Sequence, residues 1–331
     1  MNYIGSKHKL STFIKSEIKT VVGEMNDKVF CDLFAGTGAI GRAFKTESKK
    51  VIANDIEYYS YVLNRNYIGN HTQLNEREFI DELNSLEGVE GFVYKNYCAG
   101  GGNGRQYFSD ENGKRIDAVR GKIEAWRTGG RINDDLYYFL LASLLENADA
   151  VANTASVYGA FLKHLKKSAQ KPLFIKPASF ELNDNEHEVF NRDANDLIGK
   201  IAGDVLYLDP PYNARQYGSN YHLLNTIAGY DEFAPRGKTG LRKYERSLYC
   251  QKGEVSRVFE DLLAKANFKY IFLSYNNEGL MSGRDVENTM KKFGRYDLAT
   301  TAYQRFKADK TENRNHKATG TFEYLHVLEK P

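Results

Sequence analysis

The four consecutive residues Asp209-Pro210-Pro211-Tyr212 are the part of the chain best suited to chemistry. An exocyclic amine on a nucleobase is a weak nucleophile, because its lone pair is delocalised into the ring. The Asp209 carboxylate and the Pro210 carbonyl can each accept an N–H hydrogen bond from such an amine. Together they would draw the nitrogen towards tetrahedral geometry, with its lone pair aimed at an electrophilic methyl carbon. The two prolines stiffen the loop and remove backbone donors that would compete for the carboxylate. Tyr212 offers a flat face on which an extruded base can stack. A match to Asp/Asn/Ser-Pro-Pro-Tyr/Phe arises by chance in about one chain in a hundred of this length. The plainer reading is a tight turn followed by an ordinary exposed tyrosine.

A second group of residues lies far upstream. Gly36-Thr37-Gly38-Ala39-Ile40-Gly41 fits GxGxxG, and Asp55 lies 19 positions after Gly36. Glycines there let the backbone approach a ligand, and an acid at the end of the next strand accepts ribose hydroxyls, so any adenosine cofactor would fit. The turn is no P-loop, because Arg42-Ala43 follows Gly41. Asp32, in the run Asp32-Leu33-Phe34-Ala35-Gly36-Thr37-Gly38, separates the remaining candidates. Its carboxylate would repel a pyrophosphate but attract the ammonium of a methionine moiety, which favours S-adenosylmethionine over NAD. The plainer reading is that Asp32 caps a turn.

These groups need elements to hold them. Leu10, Phe13, Ile14, Ile18, Val21 and Val22 share a helical face. The apolar run Val29 to Phe34 then ends in the glycine turn, Ala39 to Phe44 can start a helix, and Val51 to Ile56 reads as the next strand. Val205 to Leu208 and Tyr270 to Ser274 have the length and composition of buried parallel strands. That places Asp209 at the same sheet edge as the glycine turn. Tyr296 to Tyr303 and Thr321 to Leu328 alternate as an antiparallel closing pair should. Between about 67 and 178 the character changes: a turn-rich stretch around Gly100 to Gly113 is followed by helical patterning at Ile116, Val119, Ile123 and Trp126, and then by the apolar segment Leu136 to Val151. The pattern predicts an α/β core made of 1–66 and 179–331, with a mostly helical insertion at 67–178.

The 331 residues are 41% hydrophobic and 27% charged, with 28 glycines and 6 prolines, which excludes collagen-like and wholly disordered classes. Lys7 and Lys9 stand where a secretory leader would carry its apolar run, and no stretch is apolar enough to span a bilayer, so a cytoplasmic protein with no membrane partner is expected. Cys31, Cys98 and Cys250 have neither disulfide nor zinc spacing, and the seven histidines form no HxxxH or HxxH pair, so no metal is implied. The net charge of +3 hides basic patches. Lys163, Lys166, Lys167, Lys171 and Lys176 fall in a stretch without an acid, and 236–257 holds seven Lys/Arg against Glu245 and Glu254. Interleaved with tyrosines, such patches suit nucleic acid, although a run of this kind is often only a solvated face.

In order and spacing these motifs resemble those of the Dam-like family of DNA N6-adenine methyltransferases. Tyr3-Ile4-Gly5-Ser6-Lys7 is similar to the family's N-terminal cofactor motif, Asp32 to Gly38 to its FxGxG motif, and Asn54-Asp55 to its ribose acid. Asn191-Arg192-Asp193-Ala194 is similar to the segment that holds the cofactor adenine, and Asp209 to Tyr212 to the catalytic loop. The resemblance implies a Rossmann-like S-adenosylmethionine-dependent core, with target recognition in the insertion. It implies Asp209, Pro210, Pro211 and Tyr212 as catalytic residues, and Tyr3, Lys7, Asp32, Phe34, Gly36, Gly38, Asp55 and Asp193 around the cofactor. Lys7 would lie near its methionine end and Asp193 near its adenine amino group. The residues after Tyr212, Asn213 to His222, look like those of restriction-modification members, which implies double-stranded DNA as substrate and a cognate restriction endonuclease as a candidate partner.

Arg215, Tyr217 and Tyr221 are candidates for holding phosphates or filling the gap left by a flipped base, with plain packing as the equal alternative. Arg105, Lys114, Arg115 and Arg120 are candidates for contacts to base edges or phosphates in the insertion, with a solvated helix face as the equal alternative. Three other functions remain open on the residues alone. An RNA adenine or guanine amino methyltransferase would use the same loop, whereas a NAD-dependent oxidoreductase leaves Asp209 to Tyr212 without a task. A non-catalytic DNA-binding module would transfer nothing.

Overall fold

The structure, a computed structural model, describes residues 7, 10–277, 279–303 and 321–331. They fall into two compact units, one drawn from 6–56, 185–216 and 246–331, the other from 57–184 and 217–245.

The first unit is built on a seven-stranded sheet. Its strands are β1 (Val29–Asp32), β2 (Lys50–Asn54), β3 (Glu188–Phe190), β4 (Ala202–Leu208), β5 (Asn267–Asn276), β6 (Arg295–Tyr303) and β7 (Thr321–Glu329). Their order is β3-β2-β1-β4-β5-β7-β6, with the first five parallel and β7 antiparallel to both β5 and β6. This is the Rossmann-like α/β arrangement expected from the sequence, including the antiparallel closing pair. β1 and the end of β4 are buried, so they read as unbroken apolar runs. β3 was not foreseen: three residues at the sheet edge, exposed to half-buried, carry no apolar run to mark them. The helices Ser11–Val22, Ala39–Phe44, Ala194–Ile198, Val255–Lys265 and Gly283–Met290 belong to this unit.

The second unit is helical. Asp110–Thr128 starts at a Ser109 cap and Asp134–Val151 at an Asn133 cap, each side-chain oxygen accepting a backbone N–H in the first turn. Asp134–Val151 is buried on nearly every side, as its apolar sequence requires. Around it pack Tyr59, Val62 and Leu63 from Tyr58–Asn64, and Leu223, Leu224 and Ile227 from His222–Gly229. Those contacts are why this unit extends from 57 to 184 and takes in 217–245. Among the described residues, no helix is long and apolar enough to cross a membrane.

After Val151 the chain runs through this unit without helix or strand, held by side-chain amides. Asn153 donates to the carbonyls of Gln106 and Leu162 and accepts from the Lys166 amide. Asn112 donates to the Ala169 and Lys171 carbonyls and accepts from the Leu173 amide at 2.8 Å. Asn84 accepts from the Ile175 amide and donates to the same residue's carbonyl. Asn147 donates to the Lys176 carbonyl, and Asn66 and Ser143 satisfy the carbonyl and amide of Ala178. A primary amide carries the same donor and acceptor as a peptide group, so these side chains replace a missing partner strand. Leu173, Ile175 and Ala178 turn into the core, while Lys171, Phe174 and Lys176 stay exposed. Asn112→Ala leaves the buried Leu173 amide unpaired and is expected to cost about 1 to 3 kcal/mol, read as a lower urea midpoint at unchanged slope.

Candidate active site

The chain order of the strands reverses between β1 and β4, which pair side by side. In open α/β sheets ligands bind at the carboxyl ends of the strands where this reversal occurs. Three acids lie there. Asp32 ends β1 and is in register with Ala53 of β2 and Tyr207 of β4. Asp55 directly follows β2, and Asp209 directly follows β4.

The Asn54 side chain holds these ends together. It donates to the carbonyls of Leu33 and Arg192 and accepts from the Arg192 amide, all at 3.1 Å. Past β1 the chain turns sharply, with φ of 52° at Gly36 and 79° at Gly38, values that a side chain at either position would strain. Asp55 Oδ2 accepts from the Gly36 amide at 2.7 Å, tying the turn to the end of β2.

Asp32 is 1% exposed. Its Oδ2 accepts from the Gly41 amide at 2.9 Å in the first turn of Ala39–Phe44, so the capping role is real, but its Oδ1 is buried and has no hydrogen-bond partner among the described residues. Burial pushes its carboxyl up to about 8, opposed by the Gly41 hydrogen bond and reinforced by the charges of Asp209 and Asp55. A buried acceptor in a negative field fits a cation and opposes a pyrophosphate. The acceptors at this edge therefore fit a ligand carrying an ammonium.

Asp209 is partly exposed, and its Oδ1 lies 3.0 Å from the ammonium of the buried Lys7. A carboxylate has about four acceptor positions, so this ion pair orients the group while leaving acceptor capacity. Pro210 is buried and Pro211 half-buried. Half-buried Tyr212 is fixed through its carbonyl, which accepts from the Leu280 amide at 3.0 Å. The Arg215 amide donates to Asn213 Oδ1 at 2.9 Å, closing the turn beyond it. Below the loop the Tyr207 hydroxyl donates to Ser274 Oγ at 2.8 Å, and burial and the Asp209 charge push that phenol well up, so it stays a neutral donor.

Phe34 packs at the edge of Tyr249, with ring centroids 5.0 Å apart. The Tyr249 hydroxyl donates to Asn195 Oδ1 at 2.8 Å, and Asn195 lies in the helix capped by Asp193. Asp193 is exposed, and its Oδ1 accepts from the amides of Asn195 and Asp196. Burial foremost, then the Asp193 charge, raises the Tyr249 phenol. Tyr249 was missed by the sequence reading, because it sits in a basic stretch with no motif around it. Tyr3 lies outside the described residues.

Of the four basic candidates for DNA contact, three donate to backbone carbonyls inside the helical unit and the fourth forms a surface ion pair. Arg105 donates to the carbonyls of Asn96, Gly237 and Lys238, and Arg120 to those of Ile227 and Ala228 and to Glu124. Arg115 donates to the carbonyls of Leu83, Asn84 and Leu86, and Lys114 pairs with Glu90. Tyr221 is fully buried, stacked with Tyr217 and packed against Tyr59 and Tyr158, so it fills core and not a vacated base position.

A family model of the D12 class N6 adenine-specific DNA methyltransferases matches residues 3–290. The chain is 65% identical over 332 residues to the type II methyltransferase M.NlaIII of Neisseria lactamica, covering 100% of this chain and 99% of that one. It is 39% identical to M.FokI of Planomicrobium okeanokoites, across 100% of this chain and 53% of that longer protein. It is 38% identical to M.CviAII of Paramecium bursaria Chlorella virus 1, across 93% of each. The chain belongs to the D12 class of N6 adenine-specific DNA methyltransferases, a family of adenine-specific DNA-modifying enzymes.

Proposed function

We propose that this enzyme takes its methyl group from S-adenosylmethionine and delivers it to N6 of an adenine flipped out of duplex DNA, as the modification half of a restriction-modification pair in the cytoplasm. The observation that carries the reading is the meeting of Asp32, with its unpartnered Oδ1, and the Lys7-oriented Asp209 at the ends of adjacent strands.

In this reading Asp32 Oδ1 receives the donor's ammonium, Asp55 the ribose hydroxyls, and Phe34, Tyr249 and Asp193 border its adenine. Gly36 and Gly38 give the backbone the shape to approach it. When bound, the cofactor supplies a sulfonium methyl as electrophile. Asp209 and the Pro210 carbonyl accept the two N6 hydrogens, Pro211 stiffens the loop, and Tyr212 stacks on the extruded base. With N6 so held, its lone pair would face the donor's methyl group, and the Asp209 carboxylate would take the proton that N6 gives up, for release to solvent. The helical unit takes the part of target recognition. The names of the type II relatives support the restriction-modification setting and a cognate endonuclease.

The test is transfer from methyl-labelled S-adenosylmethionine to duplex DNA, single-stranded DNA or structured RNA, followed by digestion and identification of the labelled nucleoside. N6-methyladenine from the duplex is expected. Label confined to RNA, or carried by a different base, would overturn the reading.

A further inference from the structure

Four lysines of the amide-held segment are exposed within a stretch that holds no acid. Along the helices of the same unit several basic side chains are paired, Arg65 with Asp135, Lys114 with Glu90, Arg120 with Glu124, Lys122 with Glu82, Arg127 with Asp134 and Arg131 with Glu82, while Arg77 and Lys95 are exposed with no ion pair among the described residues. Lys163, Lys167, Lys171 and Lys176 are exposed, and none forms an ion pair among the described residues. No acid occurs from Ala152 to Phe180, so nothing in the segment offsets their field. Lys166, in the same run, is instead turned inward, its ammonium donating to the Thr154 carbonyl at 2.7 Å.

Ordering a long irregular segment costs about 1 to 2 kcal/mol per residue in backbone entropy. Here the backbone is fixed by side-chain amides, buried at Asn153, Asn112 and Asn66 and half-buried at Asn84 and Asn147, while the four lysines remain uncommitted. Phe174, 59% exposed, lies between Lys171 and Lys176 on the outward side of the alternation. A rigid ribbon with a one-sign charge and no internal counter-ion matches a polyanion, because each neutralised phosphate releases condensed counter-ions.

We propose that residues 163–176 form a preorganised phosphate-binding strap, whose Lys163, Lys167, Lys171 and Lys176 hold the sugar-phosphate backbone of the DNA substrate. This rests on DNA being the substrate, and not on which base is methylated or on the roles given to Asp32 and Asp209. The strap positions the duplex without reading sequence, since phosphate contacts carry no base information.

The experiment measures binding of a labelled random-sequence duplex as a function of salt by fluorescence anisotropy. It uses the full chain and its variant with Lys163, Lys167, Lys171 and Lys176 all replaced by glutamine. Four lost phosphate contacts should flatten the slope of log K against log salt by about 3 to 4 and weaken binding at low salt by about tenfold or more. The same four positions changed to arginine should restore the wild-type slope, which a purely structural effect of the substitutions would not do. A control with Lys265, Lys291 and Lys292 of the sheet unit changed to glutamine should keep the wild-type slope. A wild-type slope in the strap variant, or equal flattening in the control, would overturn the proposal. Adenine methylation by the wild-type chain is scored separately, so failure of the strap and failure of the catalytic reading give different results.

Discussion

Asp209→Ala is expected to lower the single-turnover rate of methyl transfer by about a thousandfold or more while donor affinity stays close to wild type. In the proposed reading the carboxylate is one of two acceptors that draw the amine nitrogen out of conjugation, and alanine would leave only the Pro210 carbonyl. Lys7, buried and paired with Asp209 Oδ1, would then lose this counter-charge beside the incoming amine, which opposes the positive charge developing on nitrogen. Asp209→Asn keeps the size and one acceptor oxygen, so it should retain more rate than alanine. Quench-flow with labelled donor and excess enzyme, beside calorimetric titration of the donor, separates the two effects. A turnover equal to wild type in Asp209→Ala would remove this residue from the chemistry.

Asp32→Asn is the variant expected to affect donor binding most. A buried charge-assisted contact contributes about 1.5 to 3 kcal/mol, so affinity should fall by about ten- to a hundredfold. The proton count gives a sharper signature. In the free protein the Asp32 carboxyl is raised to about 8, so at pH 7 it is largely protonated. An ammonium on Oδ1 favours the carboxylate, so donor binding should release a proton, and affinity should climb as pH rises towards 8 and then level. The sign for folding is opposite. The unfolded carboxyl ionises near 4 and the folded one near 8, so between those values the folded state binds more protons and this group's contribution to stability falls as pH rises. Calorimetry in buffers of different ionisation heat should find the proton released by the wild type and absent in Asp32→Asn. Release of equal size in both would mean that the donor's cation sits elsewhere.

The parts of the fold legible in the sequence were those whose signal is local. Val205 to Leu208 announced a buried strand because both of its faces are covered, and the following Asp209 then had to lie at the sheet edge. The glycine turn was legible because only glycine relieves the positive φ at 36 and 38. β3 was not legible, since its three residues take their place from β2 and not from an apolar run of their own. The segment after Val151 gave no sign of being ordered, because the groups that hold it, Asn66, Asn84, Asn112 and Asn147, lie up to 112 residues away in sequence. Arg105, Arg115 and Arg120 looked available for DNA because a sequence cannot show that backbone carbonyls will absorb their donors. Within the candidate site, the three acids were visible by type and spacing. The Lys7–Asp209 pair and the orphan oxygen of Asp32 emerged only from packing.

The most direct measurement is a crystal structure of the enzyme with duplex DNA and a donor analogue that cannot transfer its methyl. An extruded adenine is expected on Tyr212, its N6 within about 3 Å of both an Asp209 oxygen and the Pro210 carbonyl, with the donor's ammonium on Asp32 Oδ1. Asp209 engaged by Lys7 alone, with the adenine still stacked in the helix or its N6 facing other acceptors, would contradict the account.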